Sequence, residues 1–195
     1  MAWDELLADL TALDSGASDA AARIRNQWGT TCAVLVCDMS GFSRIAHHRG
    51  IEAFLALIAR MHRLCLPLIE QHRGRLVKAE ADNLLAVFAN PSAALDAALA
   101  MHACTVADGR SREQDDQVRL CMGIGYGPIL DIGEDIFGDE VNLASKLGED
   151  LADPDEILLT ARAAAPLEQR LQAMQPESHI LALSGLKLAY WRVHA

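Results

Sequence analysis

Lys78, Glu80 and Asp82 stand at alternate positions in VKAEADNLLAVF (residues 77–88), a stretch otherwise composed like a buried β-hairpin. Leaving a buried charge without its partner costs roughly 3–5 kcal/mol, so these three side chains either face solvent or hold something. Strands over 76–80 and 84–88 would put Asp82 at a tight corner between them. A second carboxylate, Asp38, closes the β-branched and apolar run TTCAVLVCD. Two carboxylates that converge repel each other unless one stays protonated or a cation lies between them. Mg²⁺ takes one or two protein carboxylates and completes its shell with water and substrate phosphates. A pair of such ions serves phosphoryl-type transfer. The competing reading is that both aspartates are solvated turn residues, as Asp near turns commonly is.

The elements decide whether the two can meet. After the first strand, Phe54, Leu55, Ile58, Met61, Cys65 and Ile69 follow a 3.6-residue period, with Pro67 as a candidate kink and Gly74 as the stop. The hairpin follows, and then Asn90-Pro91 opens an Ala-rich helix over 91–106. ADGRSREQDDQ is expected as a polar, mobile loop and VRLCMGIGYG as a strand. VNLASKLGEDLA is expected as a helix, EILLT as a strand, ARAAAPLEQRLQAM as a helix, and HILAL with LAYWRV as a closing hairpin. The glycines of GIGYG suit close backbone approach better than phosphate binding, because no helix follows them directly.

The order β–α–β–β–α–β over 31–127 predicts an α+β fold with a ferredoxin-like βαββαβ core and C-terminal additions. A right-handed crossover makes the first strand parallel to the first hairpin strand, and the second hairpin strand inserts between them. Asp38 then lies beside the Asp82 corner. Residues 1–29 are expected as a helical extension whose Leu6, Leu7, Leu10 and Leu13 stripe packs on the domain or on a second copy, and 30–195 as the main domain.

Composition narrows the partners. A net charge of −10 is unlike a nucleic-acid-binding surface. No run approaches the ~20 apolar residues of a membrane span, and the acidic N-terminus is unlike a signal peptide. Cysteines 32, 37, 65, 104 and 121 form no C-x-x-C pair, so reduced thiols in a cytoplasmic protein are expected.

CDMSGFS (37–43), VKAEADNLLAVF (77–88) and EDIFGDEVNLASKL (134–147) together resemble the class III nucleotidyl cyclase catalytic domain, the adenylate and guanylate cyclase family. The likeness covers roughly residues 31–160. It implies a homodimer in which both subunits build each active site, and two Mg²⁺ (or Mn²⁺) per site. By resemblance, Asp38 and Asp82 would hold metal, with Met39 offering its carbonyl. Lys78 and Asp135 match the purine-reading pair in its adenine-selecting form, and Phe42 falls in the substrate-binding segment. Asn142 matches the asparagine that orients the ribose, and Lys146 stands where relatives carry a transition-state arginine. Asn142 and Lys146 are four apart on one predicted helix and so share a face.

The implied reaction converts ATP to 3′,5′-cyclic AMP and pyrophosphate. The rival readings are cyclisation of GTP or a pyrimidine nucleotide, and a weakly active cyclase-like module that binds nucleotide and signals by dimerising. An unidentified regulatory partner is also compatible with the chain. Four departures from the pattern stand out: Ala81 where Gly is usual, Lys146 for Arg, a short arm PILDIGE between Gly127 and Asp135, and Ser184 near a place where relatives carry a phosphate-binding lysine, with Lys187 close by.

Overall fold

A computed structural model describes residues 2–41, 47–183 and 186–194. The central strand β1 (Gly29–Met39) alternates between two apolar environments. Ala33, Leu35, Cys37 and Met39 face the main core, while Cys32, Val34 and Val36 face a second, smaller cluster. A strand that buries both faces must lie inside its sheet. The sheet order is β2 (Arg75–Glu80), β3 (Asn83–Phe88), β1, β4 (Leu120–Asp131), β6 (Glu156–Thr160), β8 (Leu186–His194) and β7 (Glu177–Leu183), with β5 (Ile136–Phe137) paired to β4.

The main core lies under two helices, α3 (Ile51–Gln71) and α4 (Pro91–Gly109). Phe54, Leu57, Ile58, Met61, Cys65 and Ile69 form the buried stripe of α3, while Leu55, expected there, is exposed. Fully burying each such side chain is worth about 1.5–3 kcal/mol. The helix runs through Pro67 to Gln71. Arg73, with φ 60°, is the left-handed residue after it, and the Gly74 amide bonds back to the Ile69 carbonyl at 2.8 Å. Gly74 serves packing instead, since a Cβ there would lie 2.4 Å from the Phe88 ring. At the start of α4 the Asn90 side chain accepts the Ala93 amide at 3.0 Å, the N-cap foreseen.

The hairpin strands are β2 (Arg75–Glu80) and β3 (Asn83–Phe88), and β3 lies antiparallel between β2 and β1, as the crossover rule requires. β4 (Leu120–Asp131) flanks β1 on its other side, with Cys37 opposite Met122 and Cys32 opposite Gly127. β5 (Ile136–Phe137) folds back through a turn closed by the Ile132 amide and the Asp135 carbonyl at 3.0 Å. β6 (Glu156–Thr160), β7 (Glu177–Leu183) and β8 (Leu186–His194) complete the sheet.

Three expectations need correction. VNLASKLGEDLA is not one α-helix: α5 (Asp139–Ser145) gives way to a wide π turn at Lys146–Leu151. ARAAAPLEQRLQAM breaks into α6 (Ala161–Ala164), a 3-10 turn and α7 (Glu168–Ala173), because Pro166 supplies no amide donor. The 107–117 segment is not all loop: α4 continues through Gly109, and the remainder is tethered, since Arg49 and Arg60 bond to Asp116 and the Gln117 side chain bonds to the Gly109 and Arg112 carbonyls.

At the N-terminus, α1 (Ala2–Asp14) and α2 (Ala20–Trp28) dock through Leu6 and Ile24 onto Ile132 in the turn after β4. Leu7, Leu10 and Leu13 face outward, so a single residue of the leucine stripe is buried. Trp3 stacks near Phe137 of β5 with ring centroids 5.8 Å apart.

Candidate active site

Asp38 is on the same side of β1 as Val34 and Val36, one position before the strand ends. The pairing of Cys37 with Leu84 sets the tip of the β2–β3 hairpin immediately beyond Asp38. Asp82 is the second residue of the two-residue corner between Glu80 and Asn83. The fold thus brings these two carboxylates together. Burial pushes the Asp38 carboxyl up to about 6, and the charges of Asp82 and Glu149 push the same way against a backbone hydrogen bond at Met39. Met39 buries its side chain in the main core, so only its main chain is available to the corner.

Ala81 occupies the first corner position with φ 51°. A positive φ at the first central residue alone is the φ pattern of a type II′ turn, where glycine normally stands. His62 on α3 contacts the Ala81 carbonyl through Nε2 at 3.1 Å. Glu80 is exposed, so this one of the three charges faces solvent.

Lys78 donates from Nζ to Asp135 Oδ2 at 2.6 Å, and Asp135 Oδ1 accepts the Ile136 amide at 2.9 Å. The bond to Asp135 raises the Lys78 pKa. Their side chains keep 33% and 28% exposure, so a planar ligand can reach both. An ammonium donor beside a carboxylate acceptor complements an adjacent acceptor and donor on a ligand edge.

α5 is held against β4 by missing side chains. A Cβ on Gly123 would lie 2.1 Å from the Ala144 carbonyl oxygen, and one on Gly125 2.4 Å from that of Glu140. The GIGYG glycines are therefore a close-packing surface. Glu140, Ala144 and Gly148 face the strands, and Gly148 would meet Val36 oxygen at 3.1 Å if it carried a Cβ. Residues advance about 100° each around an α-helix, so Asn142, two residues from both Glu140 and Ala144, points away from the sheet and is exposed. Lys146 follows it by one turn and pairs with Asp150.

Phe42 and Ser184 lie outside the described residues, as does the Lys187 side chain. Sequence reasoning passed over Glu149, which accepts from Asn83 Nδ2 at 3.0 Å and so ties the π turn to the Asp82 corner. It also passed over Asp150, although the four-residue spacing from Lys146 was a readable signal.

Among the described residues, neither Asp38 nor Asp82 has an ion-pair partner, and no cluster of three or more His, Cys, Asp and Glu side chains could hold a metal by itself. Two carboxylates at one corner, with Asp38 raised in part by the Asp82 charge, leave most ligand positions to others and fit a divalent ion shared with a phosphate group. No helix among the described residues is long and apolar enough to cross a membrane.

Residues 24–192 match the family described as the adenylate and guanylate cyclase catalytic domain. A Rhizobium meliloti (strain 1021) protein with the provisional name adenylate cyclase 3 is 31% identical over 128 residues, 66% of this chain and 22% of that protein. An adenylate cyclase of Glutamicibacter nicotianae is 27% identical over 154 residues, 78% of this chain and 36% of its own length. The chain thus spans about a fifth to about a third of these relatives. The fold superposes on an adenylate/guanylate cyclase/hydrolase from Silicibacter pomeroyi with TM-score 0.76 at 24% identity, covering 86% of this chain and 98% of that one. The chain belongs to the adenylate and guanylate cyclase catalytic domain family.

Proposed function

We propose that this chain is an adenylate cyclase, a phosphorus–oxygen lyase that converts ATP to 3′,5′-cyclic AMP and pyrophosphate as a homodimer. The Lys78–Asp135 pair at 2.6 Å carries the choice of nucleotide. Nζ of Lys78 would donate to N1 of adenine, and the Asp135 carboxylate would accept from the exocyclic amine. Guanine presents the reverse pattern on that edge, with a carbonyl oxygen and a protonated N1, and would set its carbonyl against the carboxylate.

Asp38, Asp82 and the Met39 carbonyl would hold two Mg²⁺ or Mn²⁺ ions. Bound there, the metal supplies acidification of the ribose 3′-hydroxyl and charge neutralisation on the triphosphate. The 3′-oxygen attacks the α-phosphorus, the bond to the β-bridging oxygen breaks, and pyrophosphate leaves. Asn142 would orient the ribose, and Lys146 would neutralise charge growing at the α-phosphate. Phe42 would line the nucleotide cleft.

The dimer reading draws on direction. Asn142 points away from the sheet face on which Asp38 lies. One chain's Asn142 and Lys146 are therefore better directed at the metal corner of a second copy than at their own. ATP as substrate favours a cytoplasmic setting. A second reading, nucleotide binding with little turnover, draws on the Lys146–Asp150 ion pair, which must open before Lys146 reaches a phosphate.

Turnover of ATP, GTP and pyrimidine nucleotides with Mg²⁺ and with Mn²⁺, following cyclic nucleotide and pyrophosphate, tests the proposal. Cyclic AMP formation lost in Asp82→Ala is the expected result. Preferred turnover of GTP would overturn the assignment of substrate. Nucleotide binding with no product from any nucleotide would favour the second reading.

A further inference from the structure

Glu140 is the one ionisable side chain other than cysteine that is buried among the described residues, at 3% exposure, and the proposed reaction does not use it. Burying a carboxylate is costly unless hydrogen bonds and charge compensate. Here compensation comes from three separate elements. Glu140 Oε2 accepts the Tyr126 amide of β4 at 3.0 Å and the Thr160 hydroxyl of β6 at 2.7 Å. Oε1 faces Arg162 Nε of α6 at 3.7 Å.

The geometry explains why a carboxylate stands there. Pairing of β4 with β6 stops at Ile124 and Leu159, and beyond it the Tyr126 amide donates to Glu140 in place of a strand carbonyl. Thr160 spends both capacities of its hydroxyl, donating to Glu140 and accepting the Ala163 amide at 3.3 Å as the N-cap of α6. Its hydrogen is thereby aimed. The strand leaves room because Gly127 has no Cβ, which would lie 2.9 Å from Glu140 Cγ.

α5 is seven residues long, its N-cap Gly138 contributes no side-chain hydrogen bond, and it ends in the π turn. Such a short helix has little of its own to fix its rotation. We infer that Glu140 is a positioning residue for catalysis: clamped by Tyr126, Thr160 and Arg162, it sets the rotation of α5 and thereby aims Asn142 and Lys146 at the ribose and α-phosphate. The inference rests on the cyclase reading.

Glu140→Met, which removes the acceptor, and Thr160→Val test it together with Thr160→Ser, which keeps both uses of the hydroxyl. Amide hydrogen exchange is read at residues 139–146, with α3 and α4 as internal references. Glu140→Met is expected to exchange faster in α5 with α3 and α4 unchanged, and Thr160→Val in α5 and in α6, whose N-cap it removes. Their kcat for ATP should fall about 10–100-fold with KM within about twofold of wild type, since a misplacement of about 1 Å can cost 10² in rate. Thr160→Ser should match wild type. In a background carrying both Asn142→Ala and Lys146→Ala, Glu140→Met should add little, because the groups that Glu140 aims are already gone. Unchanged exchange in Glu140→Met would overturn the clamp. Faster exchange with unchanged kcat would overturn the catalytic role and leave the cyclase reading standing. A wild type that turns over no nucleotide, measured first, would overturn the cyclase reading and this inference with it.

Discussion

Ala81 holds a left-handed backbone at the corner that presents Asp82. An L-residue there costs roughly 1–2 kcal/mol, and a glycine gives back roughly 0.5–1 kcal/mol in unfolded-state entropy. Ala81→Gly should therefore stabilise the protein by about 0.5–1 kcal/mol, a rise of about 1–4 °C in Tm. Calorimetry checks this, and a fall in Tm would mean the corner is not strained. At Asp38 the sign runs with proton affinity. Its carboxyl rises from an ordinary 3.8 to about 6 through burial and then the Asp82 charge. Below 3.8 folded and unfolded chains both hold the proton; between 3.8 and about 6 the folded chain holds more, so stability from this group falls as pH rises and is lost above about 6. In chelator, Asp38→Asn should therefore be more stable than wild type at pH 7 and no more stable at pH 4. Denaturant melts at both pH values decide it, and added Mg²⁺ should stabilise wild type while leaving the variant unmoved.

At the scale of elements, the glycines of β4 set how closely α5 approaches. Gly123→Ala would place a methyl 2.1 Å from the Ala144 carbonyl oxygen and 2.6 Å from the Gly148 amide nitrogen, both backbone atoms that cannot rotate aside. The helix must lift, at a cost of about 3 kcal/mol and about 6–12 °C in Tm. Turnover should drop further than stability alone explains, because Asn142 and Lys146 move with α5. Comparing kcat with the folded fraction at one temperature tests this.

The same elements show what a sequence can and cannot disclose. Periodicity and crossover handedness were enough to order β1, β2, β3 and β4, and so to bring Asp38 beside Asp82. The pairing of Lys78 with Asp135 needed the family resemblance, since 57 residues separate them. The π turn at Lys146–Leu151 was hidden because Lys-Leu-Gly-Glu-Asp reads as ordinary amphipathic helix, and its width is fixed by Gly148 against Val36 and Gly123. Glu140 drew no notice in the sequence, because its burial depends on where β6 stops, which no local pattern records.

For the whole molecule, the proposed function makes each chain the carrier of two half-sites facing different ways. Asp38 and Asp82 sit at the end of β1 and at the hairpin corner, whereas Asn142 is turned outward on α5. A twofold dimer would bring one chain's outward helix to the other's corner, twice. Asp82→Ala and Asn142→Ala homodimers should then each be nearly inactive for opposite reasons. Mixed and allowed to exchange subunits, they should regain activity, since every heterodimer holds one intact site and one doubly damaged one. Random exchange makes half the dimers heterodimers with half their sites intact, so about a quarter of wild-type turnover is expected. Activity that stays at the level of the separate variants, with subunit exchange verified by mass spectrometry, would mean that each chain completes its site alone. The outward direction of Asn142 would then have to reverse on nucleotide binding, a rotation that the Glu140 clamp opposes.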